Sequence, residues 1–210
     1  KKAESPDGKI VIAVEAHRGK AFYSVKKEGK PLICRSRLGF CLQGMPELGN
    51  NVEITGSESR FFNETWEQPW GEKRLVGNKY DELTVHFREK KGFKREMNLV
   101  FRVYNEGFGF RYELPRQAHI DSFRITDELT EFVLPEVHTA WWIPANTERF
   151  YESLYRHSRV NRMDTVCTPL TLETGNGALL ALHEAGLTDY AAMNLVRLDS
   201  SRLKCDLTPW

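Results

Sequence analysis

Alternation of apolar and polar residues runs through most of the chain and predicts β-strands. Leu83, Val85 and Phe87 alternate with polar neighbours, and after a Lys-Lys-Gly turn the segments 97–103 and 108–114 alternate in the same way. A period of two residues places successive side chains on opposite faces of a strand. Three such segments joined by short turns predict an antiparallel meander.

The same pattern continues toward both ends of the chain. Short apolar runs separated by Gly-containing turns lie in 8–16, 19–40 and 52–58, and again in 164–184 and 190–207. Thr-Gly-Asn-Gly at 174–177 is a strong hairpin signal. No segment favours a helix longer than a turn or two. This many strands must bury their apolar faces against each other. We therefore predict an all-β fold: a two-sheet antiparallel β-sandwich that forms one domain over residues 1–210.

Two aromatic, polar segments interrupt this pattern and are predicted to be long loops. They cover 61–83 and 136–163. Each contains a pair of tryptophans, Trp66 with Trp70 and Trp141 with Trp142. Long loops on a β scaffold often bind ligands, and tryptophans near carboxylates are typical of a sugar-stacking platform. The alternative is that these rings close the ends of the sandwich.

Charge and cysteine content narrow the function classes. The chain has 30 Lys and Arg against 29 Asp and Glu, so no basic stripe points to nucleic acid. No stretch approaches the roughly 18 apolar residues of a membrane-spanning helix, and no membrane span is predicted. The cysteines lack metal-site spacing, which favours free buried thiols over zinc ligands or disulfides. They are Cys34, Cys41, Cys167 and Cys205.

Known catalytic motifs do not account for the His183-Glu184 pair that ends the apolar run of 177–184. A zincin helix would need a second histidine four residues after the first, and Leu187 stands there. No P-loop, dinucleotide fingerprint or nucleophile elbow is present. A pair of glycosidase carboxylates stays open, because acidic residues are plentiful. Those considered are Glu64, Glu67, Glu72, Glu82 and Glu152.

A series of motifs nevertheless resembles one family over nearly the whole chain. In order, they are "SRLGF" (36–40), "ETWEQPWGE" (64–72), "NKYDELTVHF" (78–87), "FRVYNEGFGFRYELP" (101–115), "ITDELTEFVLPE" (125–136), "AWWIPA" (140–145), "YESLY" (151–155), "TPLTLE" (168–173) and "LHEAGLTDY" (182–190). This order resembles the N-terminal domain of glycoside hydrolase family 97.

The resemblance implies a galactose-mutarotase-like β-super-sandwich followed by a (β/α)8 barrel and a small C-terminal β domain on the same polypeptide. Family members are bacterial α-glucosidases and α-galactosidases, typically exported to the periplasm, whose catalytic carboxylates lie on the barrel. We therefore expect no catalytic residue in this chain and no hydrolysis by it alone. The implied partners are that barrel, the C-terminal domain and an α-linked oligosaccharide.

The resemblance also implies one metal ligand and a set of substrate contacts. The family uses a calcium ion with one glutamate from this domain, which corresponds to Glu184. One carboxylate cannot complete a Ca²⁺ shell, so barrel ligands are needed. His183 is expected to be structural, since it points away from Glu184 if the strand continues.

The strand before Leu-Thr-Pro approaches the sugar in the family, which makes Lys204, Cys205 and Asp206 the expected substrate contacts here, with Asp206 the best hydrogen-bonding group. Family members have a longer loop between this Leu-Thr-Pro and a Pro-Trp, whereas this chain reads "LTPW" at 207–210. The loop is either short or absent from this sequence. Two alternatives from other classes remain open at this point: a free-standing carbohydrate-binding module that uses the tryptophans, and a structural interaction domain.

Overall fold

A computed structural model describes residues 1–118, 120, 122–145, 153–175 and 177–208. Almost all regular structure in these ranges is antiparallel strand, so the prediction of an all-β fold is confirmed. In chain order the strands are β1 (Lys2–Glu4), β2 (Ile10–His17), β3 (Lys20–Lys27), β4 (Lys30–Arg37), β5 (Phe40–Leu42), β6 (Met45–Leu48), β7 (Val52–Glu67), β8 (Leu75–Glu89), β9 (Glu96–Val103), β10 (Phe108–Glu113), β11 (Ile125–Glu128), β12 (Glu131–Val133), β13 (Thr139–Trp142), β14 (Arg156–Arg159), β15 (Val166–Cys167), β16 (Leu170–Glu173), β17 (Leu179–Leu182), β18 (Ala192–Arg197) and β19 (Arg202–Thr208). A single 3-10 turn at Val160–Arg162 completes the described elements.

The described chain forms two compact units. The first contains 1–35 and 46–123, and the second contains 36–45 and 124–210. The prediction of one sandwich domain over the whole chain stays a prediction. Within the described ranges, no helix is long and apolar enough to cross a membrane.

The first unit is a sandwich of two four-stranded sheets, ordered β1-β2-β3-β4 and β10-β9-β8-β7. The predicted meander is confirmed as the antiparallel neighbours β8, β9 and β10. Aromatic rings connect the two sheets: the ring of Tyr23 on β3 lies 6.0 Å from that of Phe101 on β9 and 5.2 Å from that of Phe110 on β10. Burying one face of each sheet in this way supplies the hydrophobic core.

A buried ion pair closes the turn between β8 and β9. The Arg95 guanidinium donates to both carboxylate oxygens of Glu89, with Nε 3.0 Å from Oε2. It also donates to the carbonyl oxygen of Pro46 at 2.9 Å. The Arg95 side chain is fully buried, so this pair holds the turn against Pro46 of β6.

The prediction of a loop over 61–83 is wrong. The segment forms the outer part of the β7–β8 hairpin, where Phe62 pairs with Tyr80 and Trp66 pairs with Val76, and only 68–74 is a turn. β9 pairs with β8 only from Asp81 onward. Beyond the buried Tyr80, most of this two-stranded ribbon has solvent on both faces, so polar residues occupy both sets of alternating positions and the period of two is hidden.

The second unit contains two four-stranded sheets and the pair β5–β11. One sheet has the order β12-β19-β18-β15 and the other the order β14-β13-β16-β17. The loop predicted over 136–163 is therefore wrong for β13 and β14, while 146–152 lie outside the described residues. Four-residue strands are too short to show a clear period, which is why the pattern missed them.

The hairpin predicted at 174–177 is confirmed between β16 and β17. Thr174 donates its N–H to the carbonyl of Ala178 at 2.9 Å, and Gly177 takes the positive φ of 80° that the turn needs. Asn176 lies outside the described residues. β17 ends at Leu182 and lies at the edge of its sheet, so the strand does not continue through His183 and Glu184, which end the apolar run of 177–184.

The four cysteines are free, as predicted, but the predicted burial is wrong for three of them. Cys205 alone is fully buried, and Cys34, Cys41 and Cys167 are half-buried.

Candidate functional site

Glu184 lies in the irregular segment 183–191 between β17 and β18, here called the Glu184 loop. Its side chain is half-buried, and its Oε2 accepts the backbone N–H of Met193 at 3.0 Å. Oε1 has no hydrogen-bond partner among the described residues. One carboxylate oxygen is therefore held by a backbone N–H, while no described residue bonds the other.

The backbone N–H of Met193 needs a hydrogen-bond acceptor at this place, and the Glu184 carboxylate supplies it. β15 pairs with β18 only as far as Cys167 opposite Asn194, so the ladder stops one residue before Met193. Thr168 Oγ1 donates to the Met193 carbonyl at 3.0 Å, and Glu184 accepts the Met193 N–H. Both backbone groups are satisfied where the sheet ends, as partly buried backbone groups must be. Glu184 thus has a structural role in addition to any ligand it holds.

Tyr190 fixes the far end of the Glu184 loop. Its hydroxyl donates to Glu128 Oε2 at 2.8 Å, and Thr130 Oγ1 donates to Glu128 Oε1 at 2.6 Å. Burial raises the pKa of Tyr190, and the neighbouring Glu128 charge raises it further. The phenol stays protonated and remains a donor, which ties the loop to β11.

The predicted substrate contacts on β19 lie in different environments. Lys204 donates to Asp127 Oδ1 and, at 3.3 Å, to the carbonyl of Glu128. The Cys205 side chain is on the opposite face of the strand and Cys205 is only 1% exposed, with its sulfur 3.3 Å from that of Met193. Burial first, and then Glu128, raises the pKa of the Cys205 thiol well above its usual value.

Asp206 lies opposite Asn194 in the β18–β19 ladder and is half-buried. It shares a face of β19 with Lys204, because alternate residues of a strand point the same way. The roles of Lys204, Cys205 and Asp206 as substrate contacts therefore stay a prediction. The chain end at Pro209 and Trp210, where the loop length was in question, lies outside the described residues.

The described residues do not bring metal-ligating side chains together into a site. Across residues 1–118, 120, 122–145, 153–175 and 177–208, no three His, Cys, Asp or Glu side chains are grouped to hold a metal. The Oε1 of Glu184, which no described residue bonds, is the kind of hard oxygen ligand that Ca²⁺ prefers, but Ca²⁺ takes about six to eight oxygens. The donor type fits calcium, and one carboxylate could fill only part of such a coordination shell.

An aromatic cluster that the sequence did not reveal lies on the sheet β14-β13-β16-β17. The rings of Trp141 and His157 stack with centroids 4.2 Å apart. Trp141 Nε1–H donates to Glu173 Oε1 at 2.7 Å, and His157 Nε2 lies 3.3 Å from Glu173 Oε2. The Trp141 hydrogen bond, followed by that of His157, lowers the pKa of Glu173. Only the pairing of three short strands brings these residues together.

The four tryptophans considered above for a sugar-stacking platform differ in burial. Trp141 is 42% exposed, but Trp142 is buried at 4%, and its Nε1–H donates to Ser158 Oγ at 3.0 Å. Adjacent residues of β13 point to opposite faces, so Trp142 belongs to the core. Trp66 and Trp70 lie on the ribbon of the other unit and are exposed, Trp70 at 84%.

Comparisons with known proteins place these features in a family. The chain is 22% identical over 204 residues to a retaining α-galactosidase of Bacteroides thetaiotaomicron, an alignment that covers 91% of this chain and 29% of that protein. It is 26% identical over 218 residues to a probable retaining α-galactosidase of Streptomyces bingchenggensis, covering 95% of this chain and 32% of that protein. The chain thus spans about a third of the curated relatives it matches.

A solved structure is similar over the full chain. A glycoside hydrolase family 97 enzyme from Pseudoalteromonas sp. strain K8, in complex with panose, superposes with a TM-score of 0.96 at 36% identity, covering 100% of this chain and 32% of that one. The model of the family described as "Glycosyl-hydrolase 97 N-terminal" matches residues 3–210. The resemblance read from the ordered motifs is confirmed, and the chain belongs to the glycosyl-hydrolase 97 N-terminal family.

Proposed function

We propose that this chain is the non-catalytic N-terminal domain of an exported bacterial α-glycosidase that packs against a catalytic (β/α)8 barrel and a C-terminal β domain. The observation that supports this most directly is the family match over residues 3–210, combined with a length of about a third of the relatives. On this proposal the chain alone does not hydrolyse glycosides.

The substrate class follows from the relatives' names. One relative is named a retaining α-galactosidase and another a probable retaining α-galactosidase, and the Pseudoalteromonas enzyme was solved in complex with panose. We propose an α-linked glucoside or galactoside, with Asp206 offering a hydrogen bond to it and Lys204 and Cys205 shaping the strand beside it. Lys204 acts through its bond to Asp127, and buried Cys205 acts by packing.

Glu184 is the proposed calcium ligand of this domain. The Met193 N–H orients the carboxylate by holding Oε2, and this leaves Oε1 for the ion. A bound Ca²⁺ supplies positive charge next to a substrate oxygen. The chain's own contribution is to hold one oxygen in a fixed place with little freedom.

A calcium titration of activity in the intact, longer protein tests this role. Glu184→Gln removes the charge, while its amide oxygen can still accept the Met193 N–H, so the fold is preserved. We expect the variant to need a higher calcium concentration for activity than the parent protein. The matched control is Glu113→Gln, an exposed carboxylate paired with Arg111 in the other unit. An unchanged calcium response in Glu184→Gln would exclude the ligand role.

The second candidate is a carbohydrate-binding module, and the exposed Trp66 and Trp70 on the ribbon favour it. Calorimetry of the 210-residue chain with malto-oligosaccharides separates the two. Binding that is lost in Trp70→Ala supports the module. Absence of heat supports the accessory domain.

A further inference from the structure

Strand β7 lies at one edge of the sheet β10-β9-β8-β7, and it is long for an edge strand. It covers 16 residues, Val52–Glu67, whereas strands usually have about 3–10. Among the described residues, β8 is the strand that pairs with it, and the N–H of Val52 donates to the Gly19 carbonyl at its inner end. The rest of its outer side presents backbone groups to which a further strand can add.

Most of β7 also lacks the features that usually protect an edge strand from such pairing. Those features are short length, Pro, Lys and bulges. The sequence of β7 contains neither Pro nor Lys. The irregularity in its pairing with β8 lies near the inner end, between Ile54 and Gly56, and the ladder is regular from Gly56 to Glu67. The outer part of β7 is therefore a continuous, pairing-competent edge.

A row of aromatic rings crosses the sheet and ends at this edge. The rings of Tyr104 and Tyr80 lie 5.0 Å apart, and Phe62 on β7 stacks on Tyr80 at 4.7 Å with an angle of 18° between the rings. Phe62 is half-buried, because one side of its ring packs on Tyr80. A second aromatic ring placed beside Phe62, across the edge, would extend the row.

Opposite charges flank Phe62 on the same face of β7. Arg60 precedes it by two residues and Glu64 follows it by two, and alternate residues of a strand share a face. Arg60 is 66% exposed and contacts Glu58 of its own strand at 3.3 Å. Glu64 is exposed and accepts a hydrogen bond from Asn78 at 2.7 Å. Exposed pairs of this kind contribute little, so both side chains can take a further partner.

We propose that β7 pairs antiparallel with β7 of a second copy of this chain, with Phe62 on the twofold axis. In this register the two Phe62 rings are opposite each other, and Arg60 of each copy faces Glu64 of the other. The charges are thus self-complementary, as a twofold interface requires. The sheet continues from one copy into the next, and the aromatic row continues with it.

The same charges disfavour the neighbouring registers. Moving the axis by one residue to Phe61 sets Glu58 of one copy opposite Glu64 of the other. Moving it to Arg60 sets the two guanidinium groups against each other. Like charges directly opposite destabilise a strand pair, so the charge order of β7 selects the register centred on Phe62.

Sedimentation velocity of the intact, longer protein tests the proposal. We expect a dimer, and we expect Arg60→Glu or Glu64→Arg to raise its dissociation constant about tenfold or more, because two attractive contacts become repulsive. The double variant Arg60→Glu/Glu64→Arg restores opposite charges and should regain the affinity of the parent. The matched control is Arg111→Glu, an exposed arginine on β10 at the other edge of the sheet, which should leave the dimer unchanged. Circular dichroism of every variant should match the parent, since the changed side chains are exposed.

Three results would overturn the proposal. A monomeric intact protein would do so even if the 210-residue chain alone dimerises, because another part of the polypeptide then covers the edge. A dimer that neither single reversal weakens forms through another surface. A loss of affinity that the double variant does not restore excludes the register centred on Phe62.

Discussion

The hydroxyl of Tyr190 donates a 2.8 Å hydrogen bond to the carboxylate of Glu128, and this contact ties the Glu184 loop to strand β11. Glu128 also accepts from Thr130 at 2.6 Å. A carboxylate with two such donors is a stable anchor even where water is partly excluded. The loop that presents Glu184 is thereby fixed at Tyr190 and again at Met193.

Tyr190→Phe removes one donor from the Glu128 carboxylate and leaves the ring in place. We expect the free energy of unfolding to fall by about 1.5–3 kcal/mol, the usual contribution of a hydrogen bond to a charged group. Urea unfolding followed by tryptophan fluorescence measures it. Tyr155→Phe, an exposed tyrosine of the same unit, is the control and should leave stability unchanged. Equal stability of both variants would contradict the anchor role.

The raised pKa of Tyr190 gives the stability a definite alkaline dependence. The unfolded chain releases the phenolic proton near pH 10, whereas the folded protein retains it. The stabilisation is therefore complete below about pH 10 and decreases as the pH rises above that value. Urea midpoints between neutral and alkaline pH should fall less in Tyr190→Phe than in the parent. Parallel pH profiles would show that the folded pKa is not raised.

Burial and the neighbouring Glu128 hold the Cys205 thiol protonated. Since the thiolate is the reactive form, Cys205 should resist alkylation in the folded protein. Iodoacetamide treatment at mildly alkaline pH, followed by peptide mapping, should modify half-buried Cys34 and Cys41 before Cys205. In urea all three should react alike. Early modification of Cys205 without denaturant would be inconsistent with this packing.

The Arg95–Glu89 pair offers a test of the first unit. Glu89→Gln leaves a fully buried guanidinium without its counter-charge. Loss of one partner of a buried pair costs about 3–5 kcal/mol. Thermal unfolding should show a marked loss of stability, whereas Glu82→Gln, whose partner Arg102 is 40% exposed, should cost much less. Similar losses in both variants would argue against a special role of burial.

Sequence patterns predicted the antiparallel β fold, the β8–β9–β10 meander and the hairpin after Glu173, because these strands have one buried face and clear turns. The outer ribbon of β7 and β8 shows no period of two because most of it has solvent on both faces. β13 and β14 show none because four residues cannot define a period.

The candidate site was predictable only in part. Glu184 stands out in the sequence as a polar residue after an apolar run, and only the family resemblance implies a calcium ligand there. Its hydrogen bond to Met193, the Tyr190–Glu128 anchor and the Trp141–Glu173 bond all depend on contacts between strands distant in sequence. No local pattern records such pairings.

A crystal structure of the intact protein grown with calcium tests the central claim most directly, through the distance from Glu184 Oε1 to the ion. We expect a value of about 2.3–2.6 Å, the range of Ca²⁺–oxygen bonds, with Oε2 still accepting the Met193 N–H. A calcium ion bound in the catalytic part without Glu184 in its coordination shell would contradict the account.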